Sequence, residues 1–314
     1  MRKLMFTFDI EDFINPNEID GIYSVLEILA KYDFRGLFFI TGHMAERLKD
    51  FPMLVDLLED HEIGFHSSGH SVRPTIPEYT DVESYSQAYS ISLEREISHI
   101  NPLTGVPEGI GGINSLKSVF NSRKIQAFRA PGMSWTPPNL EALNHLGIKF
   151  DVSSNVTSSE PRNYKGITFY PYTFTQKWAG LFSDYECLLS ALLKREVAIL
   201  DLHPTLYVNQ YEWDSIYYEG NPAALYTTPK RSSIDTMSLF KNFDLLLKRI
   251  NTLQKAKLVS VDPSLNDSAP NLKLCKDNVK QIYEWSMRWP KTRFHYNPKF
   301  VLAHFYQFFK DAYS

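Results

Sequence analysis

A chain of 314 residues exceeds the usual size of one hydrophobic core, yet it fits a single α/β domain with an appendage, and 43% hydrophobic residues supply a full interior. A net charge of −3 without a long like-charge run leaves no electrostatic footprint for nucleic acid. Two cysteines, Cys187 and Cys275, stand far apart and outside any CxxC spacing, which suggests neither a disulfide framework nor a thiolate zinc site.

Short apolar runs alternate with segments of helical period, the pattern of repeated βα units around a parallel sheet. The opening MRKLMFTFDIED is interrupted by Asp9 before it could serve as a signal-peptide core, so residues 4–8 (LMFTF) read as a first strand. No stretch approaches the roughly 20 apolar residues of a spanning helix, and a cytoplasmic location is expected. Residues 19–31 place Ile19, Ile22, Leu26 and Leu29 on one helical face and lead to a second strand, 36–40 (GLFFI). Residues 44–58 repeat the pattern with Met44, Leu48, Phe51 and Leu58, before the strand 62–65 (EIGF).

A Gly-, Pro-, Asn- and Ser-rich stretch, 99–122, breaks the rhythm and reads as a loop. The strand 124–128 (KIQAF) then runs into Arg129, and Pro131 with Gly132 fix a turn. A short helix over 138–146 is opened by Pro137 and Pro138 and closed by Gly147. Residues 148–152 (IKFDV) form a strand with Asp151 near its end, and 197–202 (VAILDL) form another, followed by His203. The Tyr-rich segment 203–233 contains YEWDSIYYEG, either an aromatic platform for sugar rings or a packed cap.

A helix over 234–250 and a seventh strand, 257–261 (KLVSV), complete the main domain. PSLNDSAP is a linker by composition, which divides the chain into a domain over 1–263 and a helical extension over 264–314. In that extension Val301, Phe305 and Phe308 recur at helical spacing. They suit packing against the main domain, with peripheral membrane contact as the alternative because lysines and aromatics accompany the stripe.

Polar residues gather where the predicted strands end, the place where a parallel sheet keeps its chemistry. Asp9, Glu11 and Asp12 put three carboxylates within four positions, and they repel one another unless a cation offsets them. On an extended segment Asp9 and Glu11 point the same way and Asp12 points elsewhere; a helix N-terminal acidic cluster is the plainer alternative. In HSSGH, His66 and His70 are spaced to reach one ion, or are two surface histidines. Two imidazoles and a carboxylate form a facial set that leaves metal positions open. Arg129 suits a carboxylate partner, and His203 is the natural proton donor of the group.

These residues together resemble the polysaccharide deacetylases with the NodB homology domain, carbohydrate esterase family 4. The resemblance covers roughly residues 3–261 and five motifs in order: TFDIED for the usual TFDD, LFFITG, EIGFHSSGH, FRAPG and LDLHP. It implies a distorted (β/α)7 barrel. It implies further that Asp9 is the catalytic base, His66 and His70 metal ligands, Arg129 the group that orients the base and His203 the catalytic acid. Asp151 is similar to an acidic residue that tunes that histidine in some members. Where the family has a second aspartate as ligand this chain has Ile10, so the ligand role shifts to Glu11 or Asp12; Phe65 replaces a common asparagine.

The activity implied is hydrolysis of N-acetyl groups on amino sugars of a glycan, either a polysaccharide or a lipid-linked saccharide. The implied cofactor is a divalent metal ion, zinc by ligand type, with cobalt or nickel as alternatives. Two rivals stand beside it: an amidohydrolase of the same fold acting on a small or cyclic amide, and a catalytically silent glycan-binding protein.

Overall fold

A computed structural model of the chain describes residues 1–121, 123–153, 160–171, 174–175, 196–271 and 298–312. Cys187 and Cys275 lie outside the described residues. The elements in chain order are β1 (Arg2–Ile10), α1 (Glu18–Ala30), β2 (Leu37–Ile40), α2 (Gly42–Leu48), α3 (Pro52–Leu58), β3 (Glu62–Phe65), α4 (Ile76–Tyr79) and α5 (Tyr85–Ile97). There follow β4 (Ser98–Ile100), β5 (Pro107–Ile110), α6 (Ile113–Val119), β6 (Ala127–Phe128), α7 (Pro137–His145), β7 (Phe150–Asp151), β8 (Arg162–Tyr164) and β9 (Ile167–Phe169). The remainder comprises β10 (Phe174–Thr175), β11 (Val197–Leu202), α8 (Thr205–Val208), α9 (Ser233–Lys255), β12 (Val259–Val261) and α10 (Lys299–Ala312).

The main sheet runs β10-β11-β1-β2-β3-β6-β7-β9-β8, with every pair parallel except β8 and β9. β1 is its hub. Along one edge it pairs with β11 (Lys3 opposite Val197), and along the other it pairs with β2 at its C-terminal end and β12 at its N-terminal end. All seven strands expected from the sequence are present, and the curled parallel sheet is of the distorted (β/α)7 barrel type.

A strand covered on both faces reads as a nearly continuous apolar run, and β1 divides its residues accordingly. Leu4, Phe6, Phe8 and Ile10 enter the layer under the helices, which they share with Ile22, Leu26, Phe38, Phe128 and Leu200. Met5 faces the barrel interior with Leu37, Phe39, Ala127, Phe150 and Ile199. The inward level is tight. A Cβ on Gly64 would lie 2.6 Å from the Phe39 ring, so only glycine lets the two neighbouring strands close there. Because side chains alternate, inward positions continue at each strand's C-terminal end with Asp9, His66, Arg129, Asp201 and His203.

Several elements differ from the sequence expectation. The single helix over 44–58 is two, because Pro52 starts a new first turn after the non-helical Phe51. The loop over 99–122 holds the β4–β5 hairpin and α6. α5 escapes notice in the sequence because its buried face, Ala88, Ser92, Arg95 and Glu96, is small or charged.

The C-terminal helix α10 turns its apolar stripe inward. Val301, Phe305 and Phe308 are buried, with Phe305 and Phe308 at 5.4 and 5.6 Å from the Trp135 ring and Phe308 at 4.6 Å from Tyr164. Leu302 and Tyr306 face outward. No helix among the described residues is long and apolar enough to cross a membrane. Phe305→Ala is expected to destabilise the fold by about 3 kcal/mol, from lost burial plus the cavity left beside Trp135, measured as a lowered urea midpoint at unchanged slope.

Candidate active site and metal centre

Strand ends deliver the side chains expected to meet, and the tight turns after them set their direction. Asp9 is the penultimate residue of β1, Glu11 follows that strand and His66 follows β3. His70 lies in the turn after His66, reached through positive φ values at Ser67 and at His70 itself. Glu96 of α5 braces that turn: its carboxylate accepts from Ser67 Oγ (3.2 Å) and Ser68 N (3.0 Å) and is also met by Tyr79 Oη–H (3.1 Å).

Glu11, His66 and His70 converge as a cluster of potential ligands. Glu11 Oε2 lies 2.9 Å from His66 Nε2 and 2.8 Å from His70 Nε2, and all three residues are buried. The ring protons are placed by the outer partners. His66 Nδ1 faces the Arg129 carbonyl oxygen at 2.7 Å, and a carbonyl only accepts, so Nδ1 carries the proton. Ser71 Oγ donates to Asp214 Oδ2 at 2.6 Å and therefore accepts from His70 Nδ1–H at 2.8 Å.

With Nδ1 carrying a proton, each ring turns its Nε2 toward the same carboxylate oxygen. Such a convergence repels unless a cation or a proton lies within it. Ligand atoms about 2.0–2.1 Å from a tetrahedral ion sit about 3.3 Å apart, and the two separations found are shorter than that, so it is the donor set itself, two imidazoles and a carboxylate drawn to one point, that suits a divalent ion of the zinc type. Burial raises Glu11, but the imidazoles of His70 and His66 outweigh it and hold the carboxyl well below the usual carboxylate range. Burial likewise opposes charge on His70, while Glu11 raises it.

Asp12, the alternative ligand, is committed elsewhere. Its Oδ1 accepts from Asn15 N (2.9 Å) and its Oδ2 from Asn15 Nδ2 (2.8 Å) and Thr205 Oγ1 (2.5 Å), so it ties the turn before α1 to the segment after β11. The plainer reading of residues 9–12 as helix N-terminal acids fails too, since the acids in the first turn of α1 are Glu18 and Asp20.

Beside the ligand set lies a second cluster, Asp9, Asp201 and His203. Here the cation is already present in the chain. Arg129, fully buried, donates through Nη1 to Asp9 Oδ1 (2.8 Å) and Asp201 Oδ1 (2.5 Å), and through Nη2 to Thr7 Oγ1 (2.7 Å). Its guanidinium also lies over the Phe39 ring at 4.4 Å. The other oxygen of Asp9, Oδ2, is 3.6 Å from both His66 Nε2 and His203 Nε2.

His203 keeps 20% of its side chain exposed, the opening of an otherwise buried group. Burial alone would lower it, but the charges of Asp201, Glu11 and Asp9 push it up to about 9. A dication at Glu11, His66 and His70 would bring it back down, since that charge outweighs any single carboxylate. Burial raises Asp201 to about 6 against the opposing charge of Arg129.

Asp151 stands apart from the arrangement that the family resemblance implies. Its register partners are Phe128 and Phe169, both in the helix-facing layer, while its neighbours Phe150 and Val152 take the inward side. Its carboxylate receives Ser153 Oγ–H at 2.6 Å and Ser153 N–H at 3.1 Å. The acid beside His203 is Asp201, which the sequence reading passed over within the apolar run VAILDL.

The Tyr-rich segment holds two more residues that sequence reasoning missed. Trp213 and Asp214 open a 3₁₀ turn (Trp213–Tyr217) and are buried, as is Tyr217. Trp213 Nε1–H donates to Glu11 Oε1 at 2.9 Å, and its ring packs 5.2 Å from His70 and 5.2 Å from Phe13. Trp213 is 1% exposed, so this part of the loop is a cap rather than a platform for sugar rings. A cavity of about 460 Å³, walled by Tyr85, Leu140, Tyr164, Lys165 and Phe308, shares no residue with the site.

No protein-family model and no curated protein sequence matches the chain. Solved structures do share its fold. A structure described as Puue allantoinase superposes with a TM-score of 0.50 at 12% identity, over 83% of this chain and 86% of that one. A Streptococcus mutans CE4 esterase gives a TM-score of 0.44 at 16% identity, over 86% of each chain. A mutant of BA3943, a CE4 family pseudoenzyme from Bacillus anthracis, with restored enzymatic activity, gives 0.42 at 15% identity over 83% of this chain. This chain spans 65% of that protein's length.

Proposed function

We propose that the chain is a metal-dependent amide hydrolase of the carbohydrate esterase family 4 kind, removing N-acetyl groups from amino sugars of a glycan. The observation that carries this reading is the convergence of two imidazoles, each with Nδ1 on an oxygen partner, and one carboxylate beside an arginine-held aspartate and a histidine. Glu11, His66 and His70 would hold the ion, zinc by donor type with cobalt or nickel as substitutes. Bound there, a divalent ion supplies Lewis acidity toward an amide oxygen and acidifies water.

The chain's own groups divide the remaining work. Arg129 on Oδ1 fixes which oxygen of Asp9 is offered, leaving Oδ2 to take a proton from the attacking water. His203, on the far side of Oδ2, gives a proton to the departing amine, without which an amide anion would have to leave. Asp201, held by the same guanidinium, favours the charged imidazole, a role that the resemblance had suggested for Asp151. Because the acid is the protonated form, activity falls as pH rises through the value that His203 takes in the loaded site.

Enclosure favours a second reading. Asp9, His66 and His70 are 2%, 1% and 6% exposed, which suits a small or cyclic amide as well as a sugar terminus presented by its N-acetyl arm. Acetate release from N-acetylated chito-oligosaccharides and amino-sugar glycosides, measured beside ring opening of cyclic amides, separates the two. The expected result is acetate release that stops with a chelator and returns with zinc, cobalt or nickel. Metal retention with turnover of cyclic amides alone would replace the glycan assignment, and metal-independent binding of glycan without turnover would replace the enzyme.

A further inference from the structure

We propose that Trp213 and Asp214 are positioning residues that key the ligand set, an inference that rests on Glu11, His66 and His70 being a metal site. Adjacent in the chain, they reach two different ligands. Trp213 Nε1–H occupies Glu11 Oε1 at 2.9 Å, so Oε2 alone faces the two imidazoles. Asp214 takes the Ser71 hydroxyl proton at 2.6 Å, which turns the Ser71 lone pair toward His70 Nδ1–H at 2.8 Å.

Each contact removes one wrong arrangement. An indole N–H on Oε1 makes Glu11 a one-oxygen donor and keeps a second carboxylate oxygen from filling a position that water or substrate needs. The Asp214–Ser71 relay excludes the His70 tautomer with its proton on Nε2, which cannot bind an ion. Were Ser71 alone present, its hydroxyl could donate to Nδ1 and reverse the tautomer; the carboxylate behind it forbids that.

The keying turn is itself well fixed. Tyr217, at its far end, donates its hydroxyl to the Pro102 carbonyl at 3.0 Å, and Trp213 packs on Phe13, two residues beyond Glu11. Ligands from the end of β1 and from the turn after β3 are thus registered by one turn in the segment after β11, which contributes no ligand of its own. The site is therefore sensitive to a turn that supplies neither a ligand nor a proton-transfer group in the roles assigned above.

The test uses the full chain, its zinc affinity by competition with a chromophoric chelator, and the visible absorption spectrum of the cobalt-loaded protein. Trp213→Phe keeps the ring and removes the N–H; Ser71→Ala cuts the relay with little change of volume. Each is expected to weaken zinc by about 10–100-fold, the usual effect of an outer partner of a ligand. Trp213→Phe is also expected to shift the cobalt spectrum toward higher coordination number, a readout that a merely structural role would leave alone.

Zinc affinities of both variants within about twofold of the parent, with an unchanged cobalt spectrum, would overturn the keying, since outer partners act well beyond that. If Trp213→Phe fails to fold, Ser71→Ala alone decides by the same criterion. A parent protein that retains none of zinc, cobalt or nickel fails at an earlier point: it removes the metal reading itself, before either variant is compared.

Discussion

Asp9→Asn is expected to leave metal content unchanged and to cut turnover by about 10³-fold, within the range of general-base removal and equivalent to about 4 kcal/mol of barrier. The amide keeps an oxygen that can accept from Arg129 Nη1, now 2.8 Å from Oδ1, and its volume is nearly that of the acid, so the pocket has little reason to rearrange. What it loses is an oxygen able to take a proton at the position between His66 and His203, 3.6 Å from each Nε2. The measurement is kcat for acetate release beside metal content per chain. Turnover within about tenfold of the parent would place the base elsewhere, and loss of metal would make Asp9 a ligand.

His66→Ala is expected to abolish metal retention through purification and all detectable turnover with it. Two things go at once: the Nε2 donor 2.9 Å from Glu11 Oε2, and the Nδ1–H that satisfies the Arg129 carbonyl oxygen. The second loss costs about 1–3 kcal/mol of stability, the range for a buried acceptor that loses its donor, so the folded state is measured alongside the metal. Elemental analysis of the purified variant, with circular dichroism to establish that it is folded, is the check. Full zinc occupancy would remove His66 from the ligand set.

How much of this was legible depends on where each residue sits relative to a strand. Asp9, His66, Arg129 and His203 were found because each stands at the end of a short apolar run, where alternation leaves few directions for a side chain. Asp201 was missed although the same rule reveals it. An acid inside VAILDL, two residues before His203, must share the inward face with that histidine. Applied to IKFDV, the rule also sets Asp151 opposite Phe150 and Val152, which is where it lies.

Trp213, Asp214 and Glu96 belong to a different case. Each acts through a partner far along the chain, Trp213 on Glu11 and Asp214 and Glu96 on the turn that bears His70. Two come from a turn without regular period and one from a helix whose buried face is polar, so no local pattern marks them. Of the fold, the seven expected strands could be read because apolar runs are local; the β4–β5 and β8–β9 hairpins could not, since their short strands carry few apolar residues.

The position of β1 has a consequence for biosynthesis. Along one edge Lys3–Phe8 pair with Val197–Leu202; along the other, Arg2–Leu4 pair with Val259–Val261, and Thr7–Ile10 alone pair with the early strand β2. β1 therefore precedes most of its partners in translation and stays unpaired on much of its length until β11 and β12 follow. Long-range pairing of this kind is slow and exposes sticky intermediates. β1 is accordingly a segment to be shielded from aggregation in the nascent chain, and the proposed site, which draws on the ends of both β1 and β11, assembles only after β11 is made.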